Sequence, residues 1–94
     1  MRFEWDGVKA VTNLIKHGFS FDEVGAVFDD PFAVYVDDVA HSKTEHRLLV
    51  IGRIPKGIIT VAYTRRGTHA RLISARFASR QERRRYASTE RQRY

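Results

Sequence analysis

The first third of the chain places apolar residues with the spacing of α-helices. A short apolar stretch at 3–5 (FEW) comes before this pattern and predicts an edge strand. Asp6 is positioned as the N-cap of a first helix that runs to about His17, and Gly18 is positioned to end it. The apolar residues of this helix predict one face that packs on the sheet: Val8, Val11, Leu14 and Ile15.

A second helix is predicted directly after Gly18. Ser20 and Glu23 form a capping box, in which their side chains satisfy backbone amides at the helix start. We expect the helix to end before Pro31, because the residue ahead of a proline disfavours helical dihedral angles. Its apolar positions are Phe21, Val24, Val27 and Phe28.

After Pro31 the apolar period changes to two, which is typical of β-strands. The connections are short, so the strands should form an antiparallel meander. The middle strands are apolar on both faces, which predicts that one face packs on the helices and that the other is partly covered or used for binding. The predicted strands are 32–36, 46–54, 58–65 and 68–76, joined by a polar loop at 37–45 and by turns at 55–57 and 66–67.

The last helix is predicted to begin at a second capping box, Ser79 with Glu82, and to run to the chain end. Its only large apolar side chains are Tyr86 and Tyr94, so it needs a partner or many side-chain pairs to be stable. The fold class is therefore α+β, with 1–94 as a single domain. Two N-terminal helices pack on a four-stranded antiparallel sheet, with a possible short N-terminal edge strand, and a basic C-terminal helix follows.

The charge of the chain is unevenly distributed. Residues 1–46 hold four Lys/Arg against nine Asp/Glu, whereas residues 47–94 hold 13 against two, for a net charge of +6. Twelve of those 13 basic residues are arginine, whose planar guanidinium pairs with two phosphate oxygens at once. This asymmetry favours a nucleic-acid partner. The alternatives are a solvated basic surface and a basic patch covered by an acidic protein.

Several functional classes are excluded by what the sequence lacks. Without cysteine there is neither a disulfide framework nor a thiolate metal site. The four histidines show no metal-ligand spacing, so no metal and no cofactor are expected. The N-terminus lacks the apolar core of a signal peptide, and no apolar run could span a membrane, so we expect a cytoplasmic protein with no membrane partner.

Six short motifs resemble, in order, those of the BrnT family of toxins from BrnT–BrnA toxin–antitoxin systems. No single motif is specific, but their order over nearly the whole chain is. They are W-D at 5–6, K-H-G at 16–18, F-D-D-P at 28–31, H-S at 41–42 with E-x-R at 45–47, S-A-R at 74–76, and E-R-x-x-Y at 82–86.

This resemblance implies a RelE-like fold and a ribonuclease that arrests translation. It further implies a hetero-oligomer with a BrnA-like antitoxin, a small ribbon–helix–helix protein, which neutralises the toxin and carries the complex to operator DNA. Two positions depart from the family pattern. Phe77 stands where the family usually has a basic residue, and Arg65 stands where it often has glutamate. Arg80 and Arg65 are the candidates to replace the missing charge.

Cleavage of RNA needs no metal, because the 2′-OH of the substrate is the nucleophile. The enzyme must align that hydroxyl, neutralise the phosphorane and help protons to move. Glu45 and Arg47 are two residues apart and so share a strand face, which Arg76 joins if its strand end lies beside theirs. An ordinary cross-strand ion pair is the alternative. Proton transfer needs Glu45, a histidine beside the loop, or Tyr86. The predicted catalytic residues are Glu45, His46, Arg47, Arg76 and Tyr86, and His41 is a second histidine beside the loop.

A wider basic surface is predicted to contact RNA. His17 also fits a role in capping the first helix, and Lys16 also fits an ordinary solvated surface. The predicted RNA-binding residues are Lys16, His17, Arg65, Arg71, Arg80, Arg83 and Arg84. The leading function is thus a metal-independent endoribonuclease toxin, and the alternative is a basic module that binds RNA, DNA or protein without chemistry.

Overall fold

The computed structural model describes residues 1–92 as an α+β fold built on one mixed sheet of five strands. The prediction of a four-stranded antiparallel meander is correct for the last four strands. The edge strand expected at 3–5 is also present, but it pairs in parallel with the last strand, so the sheet is mixed. The strands are β1 (Arg2–Trp5), β2 (Val34–Asp37), β3 (Arg47–Ile54), β4 (Gly57–Arg66) and β5 (His69–Phe77), in the order β1-β5-β4-β3-β2.

Three α-helices accompany the sheet: α1 (Gly7–His17), α2 (Phe21–Val24) and α3 (Arg80–Gln92). The predicted caps are present, since the Asp6 carboxylate accepts the Val8 amide at 2.8 Å and Gly18 ends α1 with φ 78°. No helix in the described range is long and apolar enough to span a membrane. Tyr94, the last position of the predicted C-terminal helix, lies outside that range.

The second predicted helix is shorter than the sequence suggested. After one turn the chain tightens into a 3₁₀ segment, Gly25–Asp29. Here Gly25 lies against β1, and a Cβ atom at this position would come within 2.9 Å of the Phe3 ring. This close approach explains why glycine, a poor helix former, stands at the start of this segment.

The prediction that the apolar face of α1 packs on the sheet is wrong. Asn13 is the buried residue of this helix, and its side chain pairs with the edge of β5. Its amide nitrogen donates to the Ala75 carbonyl and its oxygen accepts the Ala75 amide, both at 3.0 Å. Because Asn13 must point at the strand, the four aliphatic residues face solvent: Val8 76%, Val11 59%, Leu14 50% and Ile15 81% exposed.

The main core lies on the sheet face that α2 and the 3₁₀ segment cover. The side chains packed there are Phe19, Phe21, Val24, Val27, Val50, Ile54, Ile59, Val61, Tyr63, Ala70, Leu72 and Ala75. The opposite face is covered by α3 at one end only, where Tyr86 packs with Ile51 and Ala78. The rest of that face is where polar and basic side chains collect, and it forms the floor of the site.

Candidate active site

A groove of about 250 Å³ lies on the open face of the sheet, beside the start of α3. Strand alternation places Arg47 of β3 and Arg76 of β5 on this face, since both pair in register with β4 residues whose side chains point the same way. The groove is lined by Asp38, His41, Arg47, Leu49, Thr60, Ala62, Ser74 and Arg76. Two of the predicted catalytic arginines therefore line one depression.

Arg47 is a half-buried cation without a counter-ion in the described part of the chain. Its backbone is fixed by Ser42, whose hydroxyl accepts the Arg47 amide at 3.0 Å and donates to the Asp38 carbonyl at 2.7 Å. Its guanidinium forms no hydrogen bond or ion pair with any residue from 1 to 92. A partly desolvated arginine with free donors is a site for an anion with two or more oxygens.

Arg76 is held in a fixed orientation by Glu82. Its Nη1 and Nη2 donate to the two carboxylate oxygens at 2.7 and 3.1 Å, and Nη1 also donates to the Phe77 carbonyl at 3.3 Å. These bonds use three of the five guanidinium N–H donors, so two remain for a ligand in the groove. The hydrogen bonds that Arg76 donates to Glu82 raise the pKa of Arg76 further above its usual value.

The Glu82 carboxylate is a hub between sheet and helix. It also accepts the Ser79 amide at 2.8 Å, as the predicted capping box requires, and the Thr60 hydroxyl at 2.9 Å. Burial disfavours the ionised form, but the hydrogen bonds from Arg76, Ser79 and Thr60 outweigh it and lower the Glu82 pKa to about 2. Glu82 is therefore an anion at neutral pH and keeps Arg76 paired.

A histidine and an aspartate stand at the rim of the groove. His41 Nδ1 lies 3.0 Å from Asp38 Oδ1, and both residues line the groove. A carboxylate on one ring nitrogen fixes the tautomer and leaves the other nitrogen to exchange protons with a ligand. His46, the histidine predicted to be catalytic, instead pairs with Asp37 at 2.8 Å and lies outside the groove lining.

Glu45 is placed differently from the predicted arrangement with Arg76. Its carboxylate pairs with Arg66, which donates from Nε at 3.1 Å and Nη2 at 3.2 Å. The hydrogen bond from Arg66 lowers the Glu45 pKa, which makes this carboxylate a weaker base. Glu45 and Arg47 line one depression next to the groove, but Glu45 lies in the loop before β3 and not on the strand. Arg76 does not line this depression.

That neighbouring depression is rich in cations. Arg47, Thr64 and Arg71 form a row across β3, β4 and β5, because both arginines pair in register with Thr64. The Thr64 hydroxyl is buried and has no hydrogen-bond partner within the described chain. The lining residues are Lys9, His41, Thr44, Glu45, Arg47, Thr64, Arg66, Arg71 and Ile73.

A third depression connects α1 to the groove. It contains the predicted RNA-binding residues Lys16 and His17, together with Lys9 of the same helix. Ser74 lines both this depression and the groove, so the two adjoin at this residue. Basic side chains thus surround the groove on the α1 side as well as on the β3 side.

Several predicted site residues lie elsewhere. Tyr86 is 1% exposed, and its hydroxyl donates to Asp30 at 2.7 Å. Burial, followed by this bond, raises the Tyr86 pKa to about 12. Tyr86 packs with Ile51 and Ala78 and anchors α3 to the sheet, and its side chain does not line the groove. Asp30 is itself fixed, since it accepts the Arg53 amide at 2.7 Å and the Phe32 amide at 2.9 Å.

The remaining predicted arginines also lie outside the groove lining. Arg65 alternates with Thr64 and so points to the opposite face of the sheet, on the side of Tyr63. Arg80 and Arg84 are exposed on α3, and Arg83 donates to the Ala78 carbonyl at 2.9 Å. Phe77, the departure from the family pattern, is 58% exposed and packs edge-on against Phe19.

Sequence reasoning missed three contributors to the site. His41 was considered only as one of two histidines beside the loop, and Asp38 and Thr60 were not considered. The H-S motif at 41–42 carried a signal for His41, because Ser42 ties its segment to Arg47. No group of three or more His, Cys, Asp or Glu side chains in residues 1–92 is arranged to hold a metal ion.

The groove thus combines an arginine with no partner among residues 1–92, a second arginine fixed by Glu82 and an imidazole at the rim, an arrangement that suits phosphate groups. Residues 5–82 match the family described as the ribonuclease toxin, BrnT, of type II toxin–antitoxin systems. This match covers well over half of the chain, so the chain belongs to the BrnT family. Such toxins act on RNA and have an antitoxin partner. No curated protein is similar enough to the chain to be named as a relative.

Proposed function

We propose that this chain is a metal-independent endoribonuclease that cleaves RNA in the groove between Arg47 and Arg76. The observation that carries this proposal is the half-buried guanidinium of Arg47, which has no partner among residues 1–92 and lines the same groove as Arg76, which Glu82 fixes in place. A cation in that position has lost part of its hydration and lacks a protein anion in the described chain. The phosphate of a polynucleotide would supply the missing charge.

The proposed reaction uses the substrate's own nucleophile. The 2′-oxygen forms a bond to phosphorus, the bond from phosphorus to the 5′-oxygen breaks, and a 2′,3′-cyclic phosphate results. The proton of the 2′-OH leaves to a base, and the departing 5′-oxygen gains one. Arg47 and Arg76 neutralise the charge that builds on the phosphoryl oxygens, where fixed donors contribute most. Arginine is too weak an acid to transfer these protons itself.

His41 is the proposed proton-transfer residue, with Asp38 orienting its ring. Imidazole is the side chain best suited to proton transfer near neutral pH. Glu45 is a poorer candidate, because Arg66 holds its carboxylate and lowers its pKa. The catalytic roles expected for His46 and Tyr86 are left out of the proposal, since their side chains lie outside the groove.

The two depressions that adjoin the groove would bind the flanking RNA. Arg71 lines one, Lys16 and His17 line the other, and Lys9 lines both. Phosphate contacts of this kind give affinity that depends on salt rather than on base sequence. Arg65, Arg80, Arg83 and Arg84 are further from the groove and are proposed only as contributors to long-range attraction.

The family relation supports further proposals about the biological setting. The chain would act in the cytoplasm and inhibit translation, and its fold would be RelE-like. A BrnA-like antitoxin of the ribbon–helix–helix class would neutralise it in a hetero-oligomer and would supply the contacts to operator DNA. A BrnT family toxin needs such a partner, because free ribonuclease activity would damage its own cell.

The test is an RNA cleavage assay on the purified chain in EDTA. We expect single-stranded RNA to be cut, leaving 2′,3′-cyclic or 3′-phosphate ends. Cleavage that appears only when a divalent metal is restored would contradict the metal-independent mechanism. Tight, salt-sensitive binding without any cleavage would favour the alternative, a basic module that holds RNA, DNA or an acidic protein.

A further inference from the structure

The exposed aliphatic face of α1 is the most unusual surface of the molecule. We call Val8, Val11, Leu14 and Ile15 the α1 stripe; their exposed fractions run from 50% to 81%. Val8 and Ile15 are seven residues apart and so lie almost in line along the helix. An apolar patch of this kind, left open while Asn13 takes the buried side, marks an interaction surface.

A row of basic residues runs beside the α1 stripe. Lys9 and Lys16 follow Val8 and Ile15 in sequence, so each lies about 100° around the helix from its aliphatic neighbour. Val8 and both lysines line the same depression, which reaches Ser74 in the sheet and there meets the catalytic groove. The α1 stripe therefore borders the lysine row at Val8, and the lysine row borders the groove at Ser74.

Charge decides which kind of partner fits this surface. From residue 7 to residue 17 the helix carries Lys9, Lys16 and His17 and no acidic side chain. Two copies of this chain paired through their α1 stripes about a two-fold axis would bring these lysine rows close together, which costs free energy. A partner with apolar residues on one face and carboxylates on the flank would instead match both the stripe and the lysines.

We propose that the α1 stripe is the docking surface for an acidic amphipathic helix of the antitoxin. Its apolar side chains would cover Val11 and Ile15, and its carboxylates would pair with Lys9 and Lys16. A segment in that position would border the groove at Ser74 and block the path of RNA. This inference rests on the proposed function for the identity of the partner, but its binding test does not depend on catalysis.

The experiment measures binding of the purified protein encoded beside this chain's gene. Val11→Glu with Ile15→Glu should weaken the dissociation constant by about 100-fold, because two apolar anchors are replaced by repelling charges. Val39→Glu is the matched control, since Val39 is 82% exposed on a different segment. We expect it to change affinity by less than about threefold. Lys9→Gln with Lys16→Gln should weaken binding by about tenfold and reduce its salt dependence.

Unchanged affinity of the double glutamate variant would overturn the proposal. Unchanged salt dependence of the double glutamine variant would show that the partner helix is not acidic. A wild-type chain that dimerises alone, and that the glutamate variant makes monomeric, would identify a second copy as the occupant. All five substituted positions are exposed, so thermal unfolding should match the wild type. RNA cleavage by the glutamate variant without its partner tests the proposed function separately, because docking is measured by binding alone.

Discussion

The guanidinium of Arg76 and the carboxylate of Glu82 are joined by two hydrogen bonds, of 2.7 and 3.1 Å, across the junction of β5 and α3. The same carboxylate caps the helix through Ser79 and accepts the Thr60 hydroxyl from β4. A helix with almost no apolar residues thus has a purpose beyond packing. Its first turn fixes an arginine of the groove, and Tyr86 holds its middle on the sheet.

We predict that Glu82→Gln acts mainly on turnover. The amide keeps the shape of the carboxylate but loses the ionic hydrogen bonds that fix Arg76, so alignment of the phosphate suffers. The expected result is a loss of about tenfold or more in kcat, with KM for RNA changed by less than about threefold. Glu90→Gln is the control, because Glu90 pairs only loosely with Arg53, at 3.9 Å. Equal changes in both variants would contradict the positioning role.

We predict that Glu82 also makes the free energy of unfolding depend on pH in the acidic range. Its pKa is about 2 in the folded chain against 4.5 for the ordinary side chain. A lowered pKa means that the stabilisation is complete above about pH 5 and is lost as the pH falls towards 2. The free energy of unfolding of the wild type, relative to Glu82→Gln, should therefore fall by about 2–3 kcal/mol between pH 6 and pH 2. Urea unfolding at a series of pH values measures this, and a constant difference would contradict it.

We predict that the two loop histidines differ in their effect on cleavage. His41→Ala should lower kcat by about 10²–10⁴-fold, because it removes the imidazole at the groove rim. His46→Ala should lower it by less than about threefold, since His46 pairs with Asp37 outside the groove. Single-turnover cleavage with saturating enzyme separates these effects from binding. A larger loss from His46→Ala would restore the assignment made from sequence.

We predict that Asn13 is a main stabilising residue of α1. In Asn13→Ala the amide and carbonyl of Ala75 lose their partners while buried, which should cost about 2–4 kcal/mol in the free energy of unfolding. Thr12→Ala is the control, because Thr12 is exposed on the same helix, and it should stay within about 0.5 kcal/mol of the wild type. Equal stability of the two variants would contradict the role of Asn13.

The sequence was most informative where structure depends on near neighbours. The caps at Asp6, Ser20 and Ser79 and the meander from β2 to β5 follow from local patterns, and they were predicted correctly. The place of β1 was not predictable in this way, because no turn joins it to β5 and its direction depends on distant pairing. The buried side of α1 was misjudged because one polar contact, from Asn13 to Ala75, outweighs four aliphatic residues.

The site shows the same division. Glu45 and Arg47 were expected to share a strand face; they line one depression, but Glu45 lies in the loop before β3. Strand alternation could not predict that Glu45 pairs with Arg66 or that Arg76 pairs with Glu82. The first pair depends on the register of β4, and the second depends on the cap of α3. The place of Tyr86 also depends on a distant contact. The sequence alone does not show whether a tyrosine hydroxyl faces a substrate or, as here, donates to the half-buried Asp30.

The central claim is that Arg47 and Arg76 hold the phosphate that is cut. The most direct measurement is the rate of RNA cleavage in EDTA by Arg76→Ala and Arg47→Ala, compared with Arg2→Ala, which removes the same charge from an exposed position on β1. We predict a loss of at least about 100-fold for each groove variant and less than about threefold for Arg2→Ala. Equal rates in all three variants would contradict the claim.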